Sequence, residues 1–250
     1  MTQTGTAPID VWSPADGVRR VLVVTAHPDD VDFGVAGSIA AFRAAGVEVA
    51  YCIVTNGEAG GSDRSMPRSE MAAIRQREQR AAAAVVGVDD LTFLGHPDGA
   101  LSASLELRRD ITRVIRQFRP DRVITQSPDR LWDSIYASHP DHLAAGEAAV
   151  CAVYPDARNP FAHPELLVEE GLEPHSVAEI WLMASSGSTR AVDITDTVDL
   201  KMTALRCHES QGTDSEETAE RIRAWGTANA QAAGWPPGRL AELFRVVLTG

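Results

Sequence analysis

Three tetrapeptides of the sequence share a His-Pro-Asp core, and a fourth stretch is a shorter relative. They are HPDD at 27–30, HPDG at 96–99, HPDH at 139–142 and HPE at 163–165. Histidine and carboxylate side chains are ligands of catalytic zinc, which takes three protein ligands and keeps a fourth position for water. Because His-Pro-Asp is also a good turn former, a single copy would indicate only a loop. The elements that position each copy therefore decide which copies do chemistry.

Two of the four copies follow predicted strands of a parallel sheet. RVLVVT at 20–25 and RVITQ at 122–126 are short β-branched runs typical of buried parallel strands. HPDD follows the first run directly. HPDH follows the second run after a loop and opens a helix that we predict to reach about residue 152.

Strands alternate with helices along most of the chain. Further strands are predicted at 47–55, 91–94, 179–183 and in the tail at 241–248, and further helices at 34–45, 69–86, 105–118, 199–208 and 215–230. The alternation predicts an α/β, Rossmann-like, doubly wound, mostly parallel sheet with helices on both faces. We expect a single domain over 1–250, with irregular segments at 1–19 and 154–174 and with Ser69 as a helix cap.

Convergence of HPDD and HPDH follows from the expected topology. In the common strand order 3-2-1-4-5 the first and fourth strands are neighbours, and ligands bind outside their carboxyl ends. His27 and Asp30 then form an H-x-x-D pair, and His142 can supply a third metal ligand. Asp29 is left unbound, so that it can act as general base on a metal-activated water.

His139 lies three residues before His142 and can point into the same site. We expect the carboxylate of Asp141 to favour the imidazolium form of His139 and to fix its tautomer. A cationic His139 would stabilise an oxyanion and protonate a leaving amine.

Composition excludes several other classes. The net charge of -12 and the pI near 5.0 argue against binding of nucleic acid or an anionic membrane. No stretch is long and apolar enough for a membrane span, and the N-terminus lacks the order of a secretory signal, so we expect a cytoplasmic protein. The three cysteines are too widely spaced for a disulfide framework or a paired-thiolate zinc site.

The motifs resemble the signature of the PIG-L, or LmbE-like, family of zinc-dependent N-deacetylases. The matching stretches are AHPDD at 26–30, GEAG at 57–60, HPDH at 139–142, VDIT at 192–195 and KMTALRCHESQ at 201–211. Together they cover roughly residues 20–212. The resemblance implies hydrolysis of the N-acetyl group of an N-acetylglucosamine-type amino sugar or its conjugate, a small-molecule partner. It also implies Zn2+ as the metal, with Fe2+ or another divalent ion as an alternative.

The same resemblance implies roles for further residues. It supports the metal ligands, the base and His139 as assigned above. Arg75 resembles an arginine that contacts sugar hydroxyls, although a solvated helix face is the alternative, and Asp98 resembles a sugar-binding aspartate. Glu58 is either an acceptor that orients a ligand histidine or only a turn residue. His96 is expected at the rim or surface, as a chance echo of the motif.

Some alternatives stay open from the sequence alone. An amidase of a thiol-sugar conjugate, or a deacetylase of a glycosylated natural product, would use the same metal chemistry. From another class, the chain could be a non-catalytic module that a metal stabilises or that binds a nucleotide, although it lacks G-x-G-x-x-G in its first turn. Trp132 and Tyr136 could stack on a sugar or anchor a loop, Lys201 and His208 have no assigned role, and a homo-oligomer is left open.

Overall fold

The computed structural model describes residues 9–250, and its central feature is a mixed β-sheet. Within these residues the sheet has eight strands: β1 (Asp10–Val11), β2 (Arg20–Thr25), β3 (Glu48–Thr55), β4 (Asp90–His96), β5 (Arg122–Gln126), β6 (Glu179–Met183), β7 (Arg190–Asp193) and β8 (Ala241–Leu248). Their order is β1-β7-β8-β6-β5-β2-β3-β4, and β8 alone runs antiparallel to its neighbours. The predicted fold class is confirmed.

Helices cover both faces of the sheet. In the part of the chain described they are α1 (Asp30–Gly34), α2 (Ala36–Ala44), α3 (Arg68–Val85), α4 (Leu105–Phe118), α5 (Pro140–Cys151), α6 (Pro164–Val168), α7 (Val198–Arg206) and α8 (Glu216–Ala232). Successive side chains of β2 point to opposite faces. Val21 and Val23 therefore pack in the core beneath α2 and α3, whereas Leu22 and Val24 pack beneath α4 and α5. Among residues 9–250, none of the helices combines the length and apolar character that crossing a bilayer requires.

The register of the central strands brings the two motif-bearing loops together. β2 pairs with β3 on one side and with β5 on the other, which confirms the predicted order 3-2-1-4-5. Val24 lies beside Thr125, so both strands end at the same edge of the sheet. There the side chain of Gln126 accepts a hydrogen bond of 3.0 Å from the backbone N–H of Ala26. This bond ties the end of β5 to the residue that precedes His27.

Several local predictions differ from the structure. The helix predicted at 34–45 begins earlier and breaks at Val35, because the carbonyl of Asp29 already accepts hydrogen bonds that start α1. The cap predicted at Ser69 lies inside α3, which begins at Arg68 after an extended Pro67. The segments predicted as irregular contain β1 and α6. β1 pairs with the distant β7, a contact that local sequence cannot reveal, and residues 1–8 of the predicted irregular segment lie outside the described residues.

Candidate metal centre and active site

The three predicted metal ligands converge at the carboxyl edge of the sheet. His27 lies in the turn after β2, Asp30 begins α1, and His142 lies in the first turn of α5. His27 Nδ1 is 3.4 Å from Asp30 Oδ2, and His142 Nε2 is 3.0 Å from Asp30 Oδ1. One ligand atom from each residue lies within 4.8 Å of the other two. The donor set of two imidazoles and a carboxylate fits a zinc ion with a position left for water.

Carboxylates on the far side of His27 strengthen this fit. His27 Nε2 lies 3.1 Å from Asp98 Oδ1 and 3.3 Å from Asp141 Oδ2. With Nε2–H donating to these oxygens, Nδ1 is the nitrogen that faces Asp30 and can bind a metal. A ligand histidine whose other nitrogen donates to a carboxylate is the usual arrangement in protein metal sites.

The electrostatics of the cluster favour positive charge among its carboxylates. Burial alone would lower the pKa of His27, but contacts with Asp30 and Asp98 raise it to about 11. Burial alone would raise the pKa of Asp30, but His142 and His27 hold it well below its usual range. Such opposed pKa shifts are expected where buried carboxylates surround a cation position.

Asp29 lies beside the ligands and keeps a distinct environment. Burial and the neighbouring Asp30 raise the pKa of its carboxyl to about 6, against the opposing charge of Arg75. Its Oδ2 accepts a hydrogen bond of 3.1 Å from Arg75 Nη2. A carboxylate with a pKa near neutrality is suited to accept a proton and to release it again.

Arg75 contacts the protein rather than open solvent. Its guanidinium is buried and donates to the carbonyls of Gly57 and Pro28 as well as to Asp29. A Cβ atom at Gly57 or at Gly60 would lie within 2.4 or 2.6 Å of the guanidinium, so the glycines of GEAG leave the space that Arg75 fills. The alternative of a solvated helix face is wrong. Contact of Arg75 with a sugar stays a prediction.

Asp98 and Glu58 form a support behind His27. While Oδ1 of Asp98 faces His27, its Oδ2 accepts a hydrogen bond of 2.8 Å from the N–H of Ala59. The N–H of Asp98 in turn donates to Glu58 Oε1 at 2.9 Å. Glu58 therefore holds the loop of Asp98 and does not itself contact a ligand histidine. A sugar contact by Asp98 stays a prediction.

The contact between His139 and Asp141 differs from the one predicted. The carboxylate of Asp141 accepts from the N–H groups of Gly99 and Leu101 and faces His27, whereas its own backbone N–H donates to His139 Nδ1 at 3.1 Å. Burial and the neighbouring His27 lower the pKa of His139, which opposes the predicted imidazolium. The exposed His139 ring stands at the mouth of the site, with its centroid 5.2 Å from that of His27.

Comparison with known proteins identifies the family. The model of the family described as PIG-L, GlcNAc-PI de-N-acetylase, matches residues 22–153. The diacetylchitobiose deacetylase of Thermococcus kodakarensis is 33% identical over 198 residues, which are 79% of this chain and 72% of that protein. The chain belongs to the PIG-L family. The predicted family and enzyme class, a hydrolytic N-deacetylase, are confirmed.

Two further relatives agree with this assignment. A probable N-acetyl-α-D-glucosaminyl L-malate deacetylase of Bacillus cereus is 32% identical over 77% of this chain and 84% of that protein. The structure of the N,N'-diacetylchitobiose deacetylase from Pyrococcus horikoshii superimposes with a TM-score of 0.85 at 32% identity. That superposition covers 96% of this chain and 87% of the other.

The histidines of the remaining two copies of the motif do not join the metal ligands, although Asp98 of the second copy contacts His27. His96 Nε2 is 3.1 Å from Asp110 Oδ2 on α4. His163 Nε2 is 3.3 Å from Asp156 Oδ2, in the segment before α6. Each of these histidines is paired with a local carboxylate, which agrees with the prediction that His96 is not a ligand.

The structure also places three residues near Asp29 that sequence reasoning left without a role there. Asp32, Gln79 and His208 are fully buried. Gln79 and His208 each hydrogen-bond to Asp32, and Gln79 also bonds to the backbone of Asp29. The signal that could have found His208 is its position in KMTALRCHESQ. Nothing in the sequence distinguished Gln79 from the other polar residues of α3.

Lys201 has a structural partner. Its buried ammonium donates to the carbonyl of Phe33 and to Glu242, and Glu242 also accepts from the N–H groups of Gly37 and Ser38. Lys201 therefore joins α7 to α1 and, through Glu242, to α2.

Tyr136 and Trp132 lie on the segment that leads to HPDH. The ring of Tyr136 stacks on that of Trp225 in α8, with centroids 6.1 Å apart and planes inclined by 4°. This contact supports the loop-anchor alternative for Tyr136. Trp132 is 79% exposed, and its stacking on a sugar stays a prediction.

Proposed function

We propose that this protein is a metal-dependent N-deacetylase that removes the acetyl group from an N-acetylglucosamine-type amino sugar or its conjugate. The observation that carries the proposal is the convergence of His27, Asp30 and His142 with an unligated Asp29 beside them. No observation favours the amidase or the non-catalytic alternatives over this function.

The ion would be held by His27 Nδ1, a carboxylate oxygen of Asp30 and His142 Nε2. Zn2+ is the metal we propose, because two imidazoles and one carboxylate form a common catalytic zinc set. A divalent ion bound there supplies Lewis acidity and lowers the pKa of a water molecule to about 7. Asp98 and Asp141 keep the Nε2–H of His27 engaged, so that its Nδ1 remains a free donor.

Asp29 is proposed as the general base. Its carboxylate takes a proton from the water as the water oxygen adds to the acetyl carbonyl carbon. The C–N bond then breaks, the acetyl group leaves as acetate, and the amine nitrogen receives the proton that Asp29 took from the water. The lowered pKa of His139 argues against the imidazolium that the predicted protonation of the amine by His139 would need. Burial and the neighbouring Asp30 raise the pKa of Asp29, which favours acceptance of a proton from the water.

His139 is proposed to stabilise the oxyanion. Because its Nδ1 accepts from the N–H of Asp141, the proton of the neutral ring lies on Nε2. That N–H can donate to an oxygen atom at the exposed mouth of the site. The position of His139, rather than a fixed positive charge, is what suits it to this role.

The substrate class rests on the relatives. Their names specify diacetylchitobiose and N-acetyl-α-D-glucosaminyl L-malate. The 2-acetamido sugar is the unit that these compounds share, and we propose it as the unit that this chain recognises. Cytoplasmic localisation and a homo-oligomer stay predictions.

The experiment is an acetate-release screen with zinc-reconstituted protein. The panel contains N-acetylglucosamine, diacetylchitobiose and the malate- and inositol-linked forms, with thiol-sugar amides as the competing class. We expect acetate from at least one 2-acetamido sugar and a loss of at least about a hundredfold in kcat for Asp29→Ala with its zinc retained. Wild-type turnover by Asp29→Ala would refute the role of this residue, and cleavage restricted to thiol-sugar amides would support the amidase instead.

A further inference from the structure

The backbone of Asp29 adopts a conformation that its side chain disfavours. Its φ is 90° and its ψ is -27°, in the left-handed region that glycine tolerates and other residues avoid. Such a conformation is strained in a residue other than glycine and persists only when its surroundings impose it. Contacts around Asp29 must therefore hold it in place.

Two side chains of α3 hold the peptide group between Pro28 and Asp29. Arg75 donates to the carbonyl of Pro28, and the N–H of Asp29 donates to Gln79 Oε1 at 2.7 Å. Arg75 and Gln79 are four residues apart, so they project from the same face of the helix. The peptide plane is thus fixed at both its oxygen and its nitrogen.

Gln79 is held in turn by Asp32 and His208. Its Nε2 donates to Asp32 Oδ2 at 2.9 Å, and His208 Nε2 lies 2.8 Å from the same oxygen. The carboxylate accepts from both neighbours, so Nε2 of Gln79 must face Asp32 and Oε1 must face the backbone of Asp29. The orientation of the Gln79 amide is therefore set by Asp32, which His208 also contacts.

Burial makes these three side chains depend on one another. Asp32, Gln79 and His208 each have a solvent-exposed fraction of 0%. A buried polar group that loses its partner carries its full desolvation penalty. Glu78 also accepts from the N–H and hydroxyl of Ser210, which anchors the loop of His208 to α3 beside Gln79.

We propose that His208, Asp32 and Gln79 form a positioning chain that fixes the backbone of Asp29 and so aims its carboxylate at the reacting water. The inference rests on the proposed role of Asp29 as base. An apolar trio of the same shape could fill this volume without buried polar groups, and such replacements are often neutral or stabilising. The protein has three polar side chains there instead, and the last hydrogen bond of the series goes from the main-chain N–H of Asp29 to Gln79.

The test is Gln79→Met, which keeps the length of the side chain and removes both of its hydrogen bonds. We expect kcat to fall by roughly ten- to a hundredfold, because small displacements of a catalytic group have effects of this size. We expect KM to change less than about threefold and zinc to stay at one equivalent, since the metal ligands do not contact Gln79. Gln76→Met is the matched control, because Gln76 lies on the same helix and bonds to Asn56 instead.

Two further readouts separate positioning from general stability. In an Asp29→Ala background, Gln79→Met should change the residual rate by less than about twofold, since the chain acts through Asp29. The Asp29 amide proton, followed by NMR, should exchange at least about tenfold faster in Gln79→Met and unchanged in Gln76→Met. His208→Gln, which can still donate to Asp32, should retain more activity than His208→Leu. If Gln79→Met does not fold, the comparison of these two variants tests the proposal instead.

Wild-type kcat in Gln79→Met would overturn the proposal. A loss of equal size in the Asp29→Ala background would also overturn it, because the effect would then not pass through Asp29. If Asp29→Ala alone retains wild-type activity, the proposed function of Asp29 fails as well. A strong loss in Asp29→Ala together with an unaffected Gln79→Met would refute only the positioning chain.

Discussion

At the scale of single residues, the contacts of Asp98 suggest a role other than the one that its motif predicts. The resemblance implies a sugar contact, whereas the structure places the buried carboxylate 3.1 Å from Nε2 of the ligand His27. A carboxylate in that position makes the histidine a better ligand and fixes its orientation. The two roles have different consequences when the charge is removed.

We predict that Asp98→Asn weakens zinc binding by about 10- to 100-fold, because the carboxylate that supports His27 is lost. Competition with a chromophoric chelator measures the affinity. Asp110→Asn is the matched control, since Asp110 faces His96 at the same distance but outside the site. Unchanged zinc affinity together with a raised KM would indicate instead that Asp98 contacts the sugar.

The sequence predicted the ligands more completely than it predicted their support. His27, Asp30 and His142 could be found because chemistry-bearing residues follow strands whose order is common in such sheets. The contacts of Arg75 and Gln79 with the backbone around Asp29 could not be predicted, because nothing local shows that a polar residue of a helix points inward. The contacts of Asp141 were mispredicted for a related reason. Its carboxylate bonds to the N–H groups of Gly99 and Leu101, which lie 42 and 40 residues earlier in the chain, and local sequence does not reveal such a contact.

At the scale of elements, α3 shows that the buried face of a helix can contain polar residues, which a pattern of apolar residues does not predict. Met71, Arg75 and Gln79 recur every four residues, and all three are buried together with Ala82 and Ala83. The helix therefore turns a mixed stripe toward the sheet and the site. The apolar residues of α3 alone do not predict this buried face, because Arg75 and Gln79 belong to it.

The approach of α5 to β5 depends on Gly146. A Cβ atom there would lie 2.2 Å from the carbonyl oxygen of Gln126, which is backbone and cannot move aside cheaply. We predict that Gly146→Ala destabilises the protein by roughly 1 to 3 kcal/mol, measured by urea unfolding at fixed zinc concentration.

Gly226→Ala on α8 is the control for this prediction. The added methyl there meets only the side chain of Leu240, at 3.2 Å or more. Because alanine is also the better helix former by about 1 kcal/mol, the net change should be small. Equal stability of the two variants would show that the contact between α5 and β5 is not tight.

The elements themselves were predicted unevenly. β2, β5 and α4 have the predicted bounds because each is a continuous pattern with clear ends. β1 and β7 were missed because strands of two and four residues carry too little periodicity and form only through pairing with distant strands. The single-domain prediction for 1–250 stays a prediction.

At the scale of the whole molecule, the proposed ion would join parts of the chain that are far apart in sequence. His27 and Asp30 follow β2, whereas His142 belongs to α5. An ion that binds the native state and not the unfolded chain stabilises the fold by mass action. Its positive charge would also offset the repulsion among the carboxylates of Asp30, Asp98 and Asp141, which surround His27.

Removal of the metal should therefore lower the melting temperature. At zinc concentrations about a hundredfold above Kd, we expect chelation to lower Tm by roughly 5 to 10 °C in a chain of this size. Differential scanning fluorimetry with and without chelator measures the shift. His142→Ala should show almost no zinc-dependent shift, and a full shift in that variant would place the ion elsewhere.

The central claim is that one divalent ion, held by His27, Asp30 and His142, is required for hydrolysis of the acetamide. The most direct measurement is acetate release during titration of metal-free protein with Zn2+. We predict a rate that rises from baseline until one equivalent is bound per chain, and no such rise in His142→Ala. Full acetate release by the metal-free protein, or an unchanged titration curve in His142→Ala, would contradict the claim.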